Sequence, residues 1–257
     1  MRSIWTGSVS FGLVNIPVKL YSATESSSLN LDMLDKKDHS NIKFKRVNEK
    51  TGKEVAWEDI VKGYKIDNRY VILNDDDFKK ASPEKTKTID IVQFVESEEV
   101  PPIHFESAYY LEPEKSGGKA YVLLRDSLAK SKKAALGTFV LRNKESLCLL
   151  AASEKILVLH KIRYAQEIRS TEDIKVPEAK VSPAEVQMAV RLIDQMSAEF
   201  DVSKFKDTYS ETLMKFIEAK AKGKKFATAK LHVAHSTTKD LMEELKASLD
   251  QVKKKAS

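Results

Sequence analysis

The stretch WTGSVSFGLVNIPVKLY, residues 5–21, carries the pattern from which the fold is inferred. In its second half, apolar residues occupy every second position, which places Val14, Ile16, Val18 and Leu20 on one face of a β-strand. Pro17 lies inside this run and has no N–H to donate to a neighbouring strand. We therefore expect the strand to lie at a sheet edge or to begin a bulge.

Further segments are also expected to form strands, because they are short, rich in Val, Ile, Tyr and Phe, and separated by turn residues. They are residues 70–73, 88–95, 108–112, 136–142, 147–152 and 156–162. This spacing is typical of a β-barrel or a β-sandwich. One helix is expected inside it, over residues 121–129. Up to about residue 175, the sequence therefore predicts a mainly β domain.

After Val176 the apolar period changes from 2 to 3.6, which predicts helices. A capping box at residues 182–185 opens the first helix, and its apolar stripe consists of Val186, Val190, Ile193 and Met196. A second box at residues 208–211 opens another helix, which Gly223 would end. The predicted fold class is therefore α+β, mainly β, with a helical C-terminal region.

A third helix is expected from about Thr237 to Val252, before a tail that contains three consecutive lysines. Its apolar side chains align on one face, which suits a partner protein, the protein's own core or a second copy of the chain. The sequence leaves these alternatives open. The residues of this candidate partner surface are Leu241, Leu245, Leu249 and Val252.

The segment from residue 22 to about residue 62 is too long for an ordinary connection between two strands. Such loops usually have about 2–6 residues, and much longer ones are commonly functional or disordered. The segment begins with a polar run and continues into basic sequence in which Ile42, Phe44 and Val47 are interspersed with Lys43, Lys45 and Arg46. We expect a projecting hairpin or arm.

The charges of the chain are arranged in blocks. The net charge is only +6, but residues 36–53 hold 7 basic and 2 acidic residues, a net of +5. Residues 75–114 hold 4 and 11, a net of −7, and residues 115–144 hold 8 and 1, a net of +7. A solvated mosaic of charges would explain any one block alone. Two basic blocks separated by an acidic one favour a surface that binds a polyanion.

The sequence gives little support for an enzyme or a metal site. Residues 116–119, SGGK, lack the spacing of a phosphate-binding loop and the Ser or Thr after the lysine, so we expect a turn there. Asp75, Asp76 and Asp77 are adjacent and lack spaced partners for an ion, and His232 and His235 have no neighbours that would complete a zinc site. We expect no catalytic residues, no metal and no cofactor.

Composition also bears on where the protein acts. A single cysteine, Cys148, rules out an intramolecular disulfide, and its apolar neighbours predict a buried thiol. No apolar run has the roughly 18 residues that a membrane helix needs, and no signal peptide is evident. The expected location is a reducing cytoplasm, in contact with the nucleoid and not with a membrane.

Several segments resemble the prokaryotic Ku family and occur in the order that this family has. The first is residues 5–21, followed by Thr51-Gly52-Lys53-Glu54-Val55, Val61-Lys62-Gly63-Tyr64 and Ala108-Tyr109-Tyr110-Leu111-Glu112-Pro113. Tyr164-Ala165-Gln166-Glu167-Ile168-Arg169 resembles the end of the family's barrel. Asp207-Thr208-Tyr209 and Ile217-Glu218-Ala219-Lys220 resemble the start of its C-terminal region. The similarity extends from about Trp5 to Lys220.

The resemblance implies a β-barrel core whose long insertion forms a bridge. Two copies would then close a ring around double-stranded DNA, load at DNA ends, and recruit an ATP-dependent ligase (ligase D) for non-homologous end joining. The expected divisions are residues 1–175 for the core, with the bridge at about 22–62, residues 176–222 for a helical arm, and residues 223–257 for a basic and amphipathic extension.

A ring that accepts any broken end should hold phosphates without reading bases, through Lys and Arg side chains. The candidate contacts on the insertion are Lys36, Lys37, Lys43, Lys45, Arg46, Lys50 and Lys53. Those on the second basic block are Lys130, Lys132, Lys133, Arg142 and Lys144. Two other functions remain open: a metal-dependent nuclease or another enzyme that acts on nucleic acid, and a β-barrel adaptor that binds no DNA.

Overall fold

The computed structural model describes residues 1–81, 87–142, 144–224 and 241–256. The chain divides into two compact units. The first comprises Met1–Ser26 and Asn30–Ser170, and the second comprises Ser27–Leu29 and Thr171–Ser257.

In the first unit, the described strands are β1 (Trp5–Phe11), β2 (Val14–Ser22), β3 (Lys62–Ile66), β4 (Arg69–Leu73), β5 (Thr88–Glu96), β6 (Phe105–Pro113), β7 (Lys133–Leu141), β8 (Lys144–Ser153) and β9 (Ile156–Ile162). Its described helices are α1 (Asp75–Ala81) and α2 (Gly118–Ser131). In the second unit, the described helices are α3 (Pro183–Met196), α4 (Thr208–Ala221) and α5 (Leu241–Ala256).

Seven strands form a closed barrel in the order β1-β2-β6-β9-β8-β7-β5, which confirms the predicted mainly β core. A short parallel pairing of β1 with β5, through Ser8–Ser10 and Thr88–Asp90, closes the barrel. The other neighbouring pairs are antiparallel. The predicted strand at residues 70–73 forms, but it pairs with β3 in a separate two-stranded sheet and not with the barrel.

The prediction that β2 lies at a sheet edge or begins a bulge is wrong. Strand β2 pairs with β1 on one side and with β6 on the other, and the register shifts in neither ladder. Pro17 is tolerated because the ladder with β6 begins only at Val18. The carbonyl of Pro17 accepts a hydrogen bond from the N–H of Glu114, at 2.9 Å, just beyond the last residue of β6. The missing donor thus falls where the ladder ends, which is a position that proline can occupy.

The pairing register defines two ends of the barrel. At one end, β2 finishes and β5 begins, so the long connection between them leaves and returns there. We call this the insertion end. The β7–β8 turn at Arg142 also lies at the insertion end, because Ile89 near the start of β5 pairs with Phe139 near the end of β7. At the opposite end, Glu96 pairs with Lys133.

Helix α2 connects β6 to β7 at that opposite end, which we call the helix end. Tyr121, Leu124 and Leu128 of α2 are buried in the main core together with residues of β8 and β9. The Tyr121 hydroxyl donates to the carbonyl of Leu111 and accepts from the N–H of Leu157, both at 2.7 Å. Helix α2 is longer at both ends than predicted and includes Gly118 and Lys119, so the expected turn at residues 116–119 is only partly correct.

A second hydrophobic cluster lies on the other face of β8, around Ala134, Leu149 and Ile162. Since β5 ends at the helix end and β6 begins at the insertion end, residues 97–104 must run the length of the barrel. Val100 and Phe105 pack against this cluster along that route. Cys148 points to the main core and is buried, as predicted, and burial raises the pKa of its thiol to about 12.

In the second unit, helix α3 begins as predicted. The Ser182 side chain accepts from the N–H of Glu185, and the Glu185 carboxylate accepts from the N–H of Ser182. The N-cap of α4 is Asp207, not Thr208, because the Asp207 carboxylate accepts from the N–H of Ser210. Gly223 follows the end of α4 with a φ of 67°, which suits the predicted helix stop.

Candidate nucleic-acid interface

The connection between β2 and β5, which we call the insertion, holds most of the candidate DNA contacts. It is longer than predicted, because it extends to Lys87 and includes β3, β4 and α1. No described residue from Asn30 to Lys80 is buried. Its large apolar side chains, among them Phe44, Trp57, Tyr64 and Tyr70, are exposed. The insertion therefore displays both charge and apolar surface.

The first part of the insertion folds as two turns and not as one long hairpin. In the first turn, Leu34 pairs with Asn41, and Asp35 and Ser40 close the loop through backbone and side-chain hydrogen bonds. Lys36 and Lys37 lie at its tip and are exposed. This turn presents two of the candidate contacts on a short, hydrogen-bonded scaffold.

In the second turn, Val47 pairs with Glu54. The Asn48 side chain accepts from the N–H groups of Lys50 and Thr51, and Gly52 has a φ of 67°, a left-handed conformation that favours glycine. Lys50 and Lys53 are carried on this turn and are exposed. Residues 51–55, one of the segments of the resemblance, thus belong to a hydrogen-bonded turn that carries the exposed Lys53.

Two neighbouring candidate contacts at the base of the second turn have different surroundings. Lys45 Nζ lies 2.7 Å from a carboxylate oxygen of Glu54. Arg46 instead lies over the ring of Trp57, with its guanidinium carbon 4.5 Å from the ring centroid. One cation is therefore paired with an anion, and the other stacks on an aromatic ring.

The second half of the insertion contains basic residues that the sequence analysis missed. Strands β3 and β4 form a hairpin around Asp67 and Asn68, which both have positive φ, as a type I′ turn requires. The exposed cations among these missed residues are Lys62, Lys65, Arg69, Lys80 and Lys87. Lys62 lies over the ring of Phe78, 4.6 Å from its centroid. In the sequence, the basic residues at 62–70 are interspersed with aromatic ones, and this pattern could have identified them as candidate contacts.

The second basic block is divided between the two ends of the barrel. Arg142 and Lys144 lie at the insertion end, and Lys130, Lys132 and Lys133 lie at the helix end. Strand β7, which separates them, spans about 27 Å at about 3.4 Å per residue. The structure therefore does not bring this block together into one surface.

The acidic neighbours of these residues also differ. At the helix end, Lys133 Nζ lies 2.9 Å from Glu96, whose carboxylate raises the pKa of the lysine by hydrogen bonding and by its charge. Glu98 and Glu99 follow in the same turn. At the insertion end, Lys144 lies 3.7 Å from Glu167, and Arg142 has no ion pair within the described part of the chain. At each end of the barrel, therefore, one of the candidate lysines has a carboxylate partner.

The candidate partner surface on the last helix is only partly described. Leu245 and Leu249 are half-buried, and α5 packs against α3. The side chains of Leu241 and Val252 lie outside the described residues, and so do Thr237, His232 and His235. On α3, the predicted stripe Val186, Val190, Ile193 and Met196 is exposed. A partner contact at Leu241, Leu245, Leu249 and Val252 stays a prediction.

Metal sites and membrane-spanning helices are two further features to consider in the described ranges. No group of three or more His, Cys, Asp or Glu side chains in the described ranges is placed to hold a metal ion. Among the same residues, no helix combines the length and the apolar character needed to cross a bilayer.

Comparisons with known proteins give a consistent result. Residues 10–188 match the family model described as Ku70/Ku80 beta-barrel domain. The chain is 42% identical over 225 residues to the non-homologous end joining protein Ku of Pseudomonas aeruginosa, covering 86% of this chain and 77% of that protein. It is 40% identical to the protein of that name from Opitutus terrae, covering 98% and 92%, and 39% identical to the one from Archaeoglobus fulgidus, covering 98% and 100%.

Proposed function

This chain belongs to the Ku family, and from that premise we propose that it binds the ends of double-stranded DNA as a ring-shaped homodimer in non-homologous end joining. The observation that carries the proposal is the insertion, in which exposed cations and exposed apolar side chains occur together. The cations supply sequence-independent attraction to phosphates, and the apolar surface supplies contacts between two copies.

A second copy of the chain is the best explanation for the apolar surface of the insertion. The β3–β4 hairpin has Tyr64, Ile66 and Val71 on one face and Tyr70 and Ile72 on the other, and all five are exposed. A two-stranded hairpin is at best marginally stable in water by itself. Contiguous exposed apolar surface of this kind marks an interaction site. In a symmetric dimer, the same contact would cover the hairpin of each copy.

We propose that the DNA lies against the insertion and the insertion end of the barrel. The contacts would then come from the insertion and from Arg142 and Lys144. The helix end would face away from the duplex, because Lys133 there is paired with Glu96 and because Glu98 and Glu99 follow in the same turn. Lys130, Lys132 and Lys133 are accordingly the weakest of the candidate contacts.

The proposal extends to partners and location. We propose that the bound dimer recruits an ATP-dependent ligase of the ligase D type, with the helical region after residue 176 as the candidate contact, and that it acts in the cytoplasm at the nucleoid. We also propose that residues 176–222 and 223–257 function as an arm and an extension of the core. In this role, the chain acts by binding, and the ligase performs the chemistry.

The testing experiment compares a linear duplex with a covalently closed circle of the same sequence, at physiological salt, by gel shift. A threaded ring should bind the linear form and add further dimers as the duplex lengthens, while the circle stays almost unbound. Equal binding to both forms would contradict the ring. Absence of binding to either would contradict DNA binding altogether, and loss of intact DNA in the presence of Mg²⁺ or Mn²⁺ would indicate a nuclease.

A further inference from the structure

The base of the second turn of the insertion places an arginine and a lysine, adjacent in sequence, in contrasting environments. The carbonyl of Arg46 accepts from the N–H of Val55, at 2.9 Å, and Trp57 begins a short 3-10 helix two residues later. These backbone contacts hold Arg46 and Trp57 close to each other. Stacking of the Arg46 guanidinium on the Trp57 ring at 4.5 Å follows from this local fold.

A stacked guanidinium is well suited to bind a phosphate. The ring covers one side of the guanidinium, and the N–H donors that do not face the ring can form a bidentate contact. The ring also restricts the rotamers of the side chain, so less entropy is lost on binding. Within the described part of the chain, Arg46 has no ion pair that would compete for those donors.

Lys45 has the opposite environment. Its ammonium group lies 2.7 Å from the Glu54 carboxylate, and both side chains are mostly exposed. To contact a phosphate, the Lys45 ammonium group would have to contact the phosphate and the Glu54 carboxylate together, or break its ion pair with Glu54. Because an exposed pair of this kind is weak, Glu54 reduces the contribution of Lys45 without abolishing it.

We propose that Trp57 is a positioning residue that orients Arg46 for a DNA phosphate, and that Glu54 weakens the corresponding contact of Lys45. This inference rests on the proposed DNA binding and names the residues of the insertion that control it. In this proposal Trp57 touches neither a phosphate nor the second copy of the chain, so its whole effect on DNA binding passes through Arg46.

The test is a double-mutant cycle on the affinity of the full chain for a linear duplex, with Arg46→Ala, Trp57→Ala and the double variant. At about 0.1 M salt, removal of one phosphate-binding cation lowers affinity about eightfold and makes the salt slope shallower by about 0.9. Trp57→Ala should lower affinity about two- to fivefold, the worth of an exposed cation–π contact. In the Arg46→Ala background, Trp57→Ala should have no further effect.

Matched variants sharpen the test. Trp57→Phe keeps an aromatic ring and should bind within about twofold of the parent protein, since the cation–π contact is only somewhat weaker. Lys45→Ala should cost less affinity than Arg46→Ala, and Glu54→Gln should raise affinity and steepen the salt slope.

Three outcomes would overturn the inference. In the first, Trp57→Ala weakens DNA binding equally with and without Arg46. In the second, Trp57→Ala changes the mass of the protein in solution, which would assign Trp57 to a subunit contact. In the third, Glu54→Gln leaves the affinity for DNA unchanged. A parent protein that binds no duplex would instead refute the proposed function, so the two failures are distinguishable.

Discussion

Phe139, Leu150 and Leu159 in the barrel are at most 1% exposed, whereas Phe44, Trp57 and Tyr64 in the insertion are 79%, 73% and 67% exposed. Both regions are rich in apolar residues, but only the barrel buries its apolar side chains within its own fold. The barrel is closed, so its strands leave no unpaired edge. The insertion is built from short turns and one hairpin, which cannot bury both of their faces. The barrel thus forms a self-sufficient scaffold, and the insertion displays what other molecules bind.

The first way to sharpen this comparison is thiol reactivity. Cys148 is buried in the barrel with a thiol pKa raised to about 12, so at pH 8 it should react only when the barrel unfolds, at least about 10³-fold more slowly than a free thiol. A cysteine introduced by Lys50→Cys in the second turn should react at once. Labelling kinetics followed by peptide mass spectrometry measure both sites, and rapid native labelling of Cys148 would contradict the closed core.

A large substitution effect is expected from removing an aromatic side chain. Phe139→Ala should lower the free energy of unfolding by about 3–5 kcal/mol, because it leaves a cavity in the barrel. Phe44→Ala should change it by no more than about 0.5 kcal/mol when measured on monomer, and should instead weaken self-association. Urea unfolding and sedimentation equilibrium make the comparison, and equal unfolding effects would break it.

A smaller effect is expected from a single hydroxyl in the core. Tyr121→Phe removes the group that bridges Leu111 and Leu157, leaving a buried carbonyl and a buried N–H without that partner. The cost should be about 1–3 kcal/mol in unfolding free energy. Tyr70→Phe in the exposed hairpin is the control and should be close to neutral. A neutral Tyr121→Phe would show that the bridge between α2 and the strands contributes little.

The smallest effect concerns His160, which is half-buried and packs edge-on against Phe105 with ring centroids 5.2 Å apart. Burial lowers the pKa of His160. Because the unfolded state then takes up a proton more readily, stability should be complete above about pH 6.5 and decline as pH falls below it. His160→Gln should make the melting temperature depend less on pH between pH 7.5 and 5.5. An unchanged slope would assign the pH dependence to other groups.

The barrel was largely predictable from sequence, and the insertion was not. Alternation of apolar residues located β2. Short segments rich in Val, Ile, Tyr and Phe located β5, β6, β7, β8 and β9, since each of these strands packs against its neighbours in the same chain. The prediction that β2 lies at a sheet edge was wrong because Pro17 lies just outside the ladder between β2 and β6. Where that ladder ends depends on the last residue of β6, which the sequence of β2 does not reveal. Which strands close the barrel is a nonlocal property that no single pattern encodes.

The candidate site shows a similar limit. Composition identified the basic blocks, but it did not show that Lys45 pairs with Glu54 or that Lys133 pairs with Glu96. The stacking of Arg46 on Trp57 joins residues on the two sides of a turn. Such contacts arise from the turn at Asn48 and Gly52, and the spacing of charges along the sequence does not reveal them.

The most direct test of the division between insertion and helix end uses two charge-removal variants and one linear duplex. The first replaces Lys43, Lys50 and Lys53 with Gln, and the second replaces Lys130, Lys132 and Lys133 with Gln. Affinity is measured from about 50 to 200 mM salt for both variants and the parent. The insertion variant should bind more weakly, with a salt slope shallower by about 0.9 for each phosphate that is no longer neutralised, and the helix-end variant should match the parent. Equal weakening, or a larger effect at the helix end, would contradict the assignment of the insertion as the DNA-binding region.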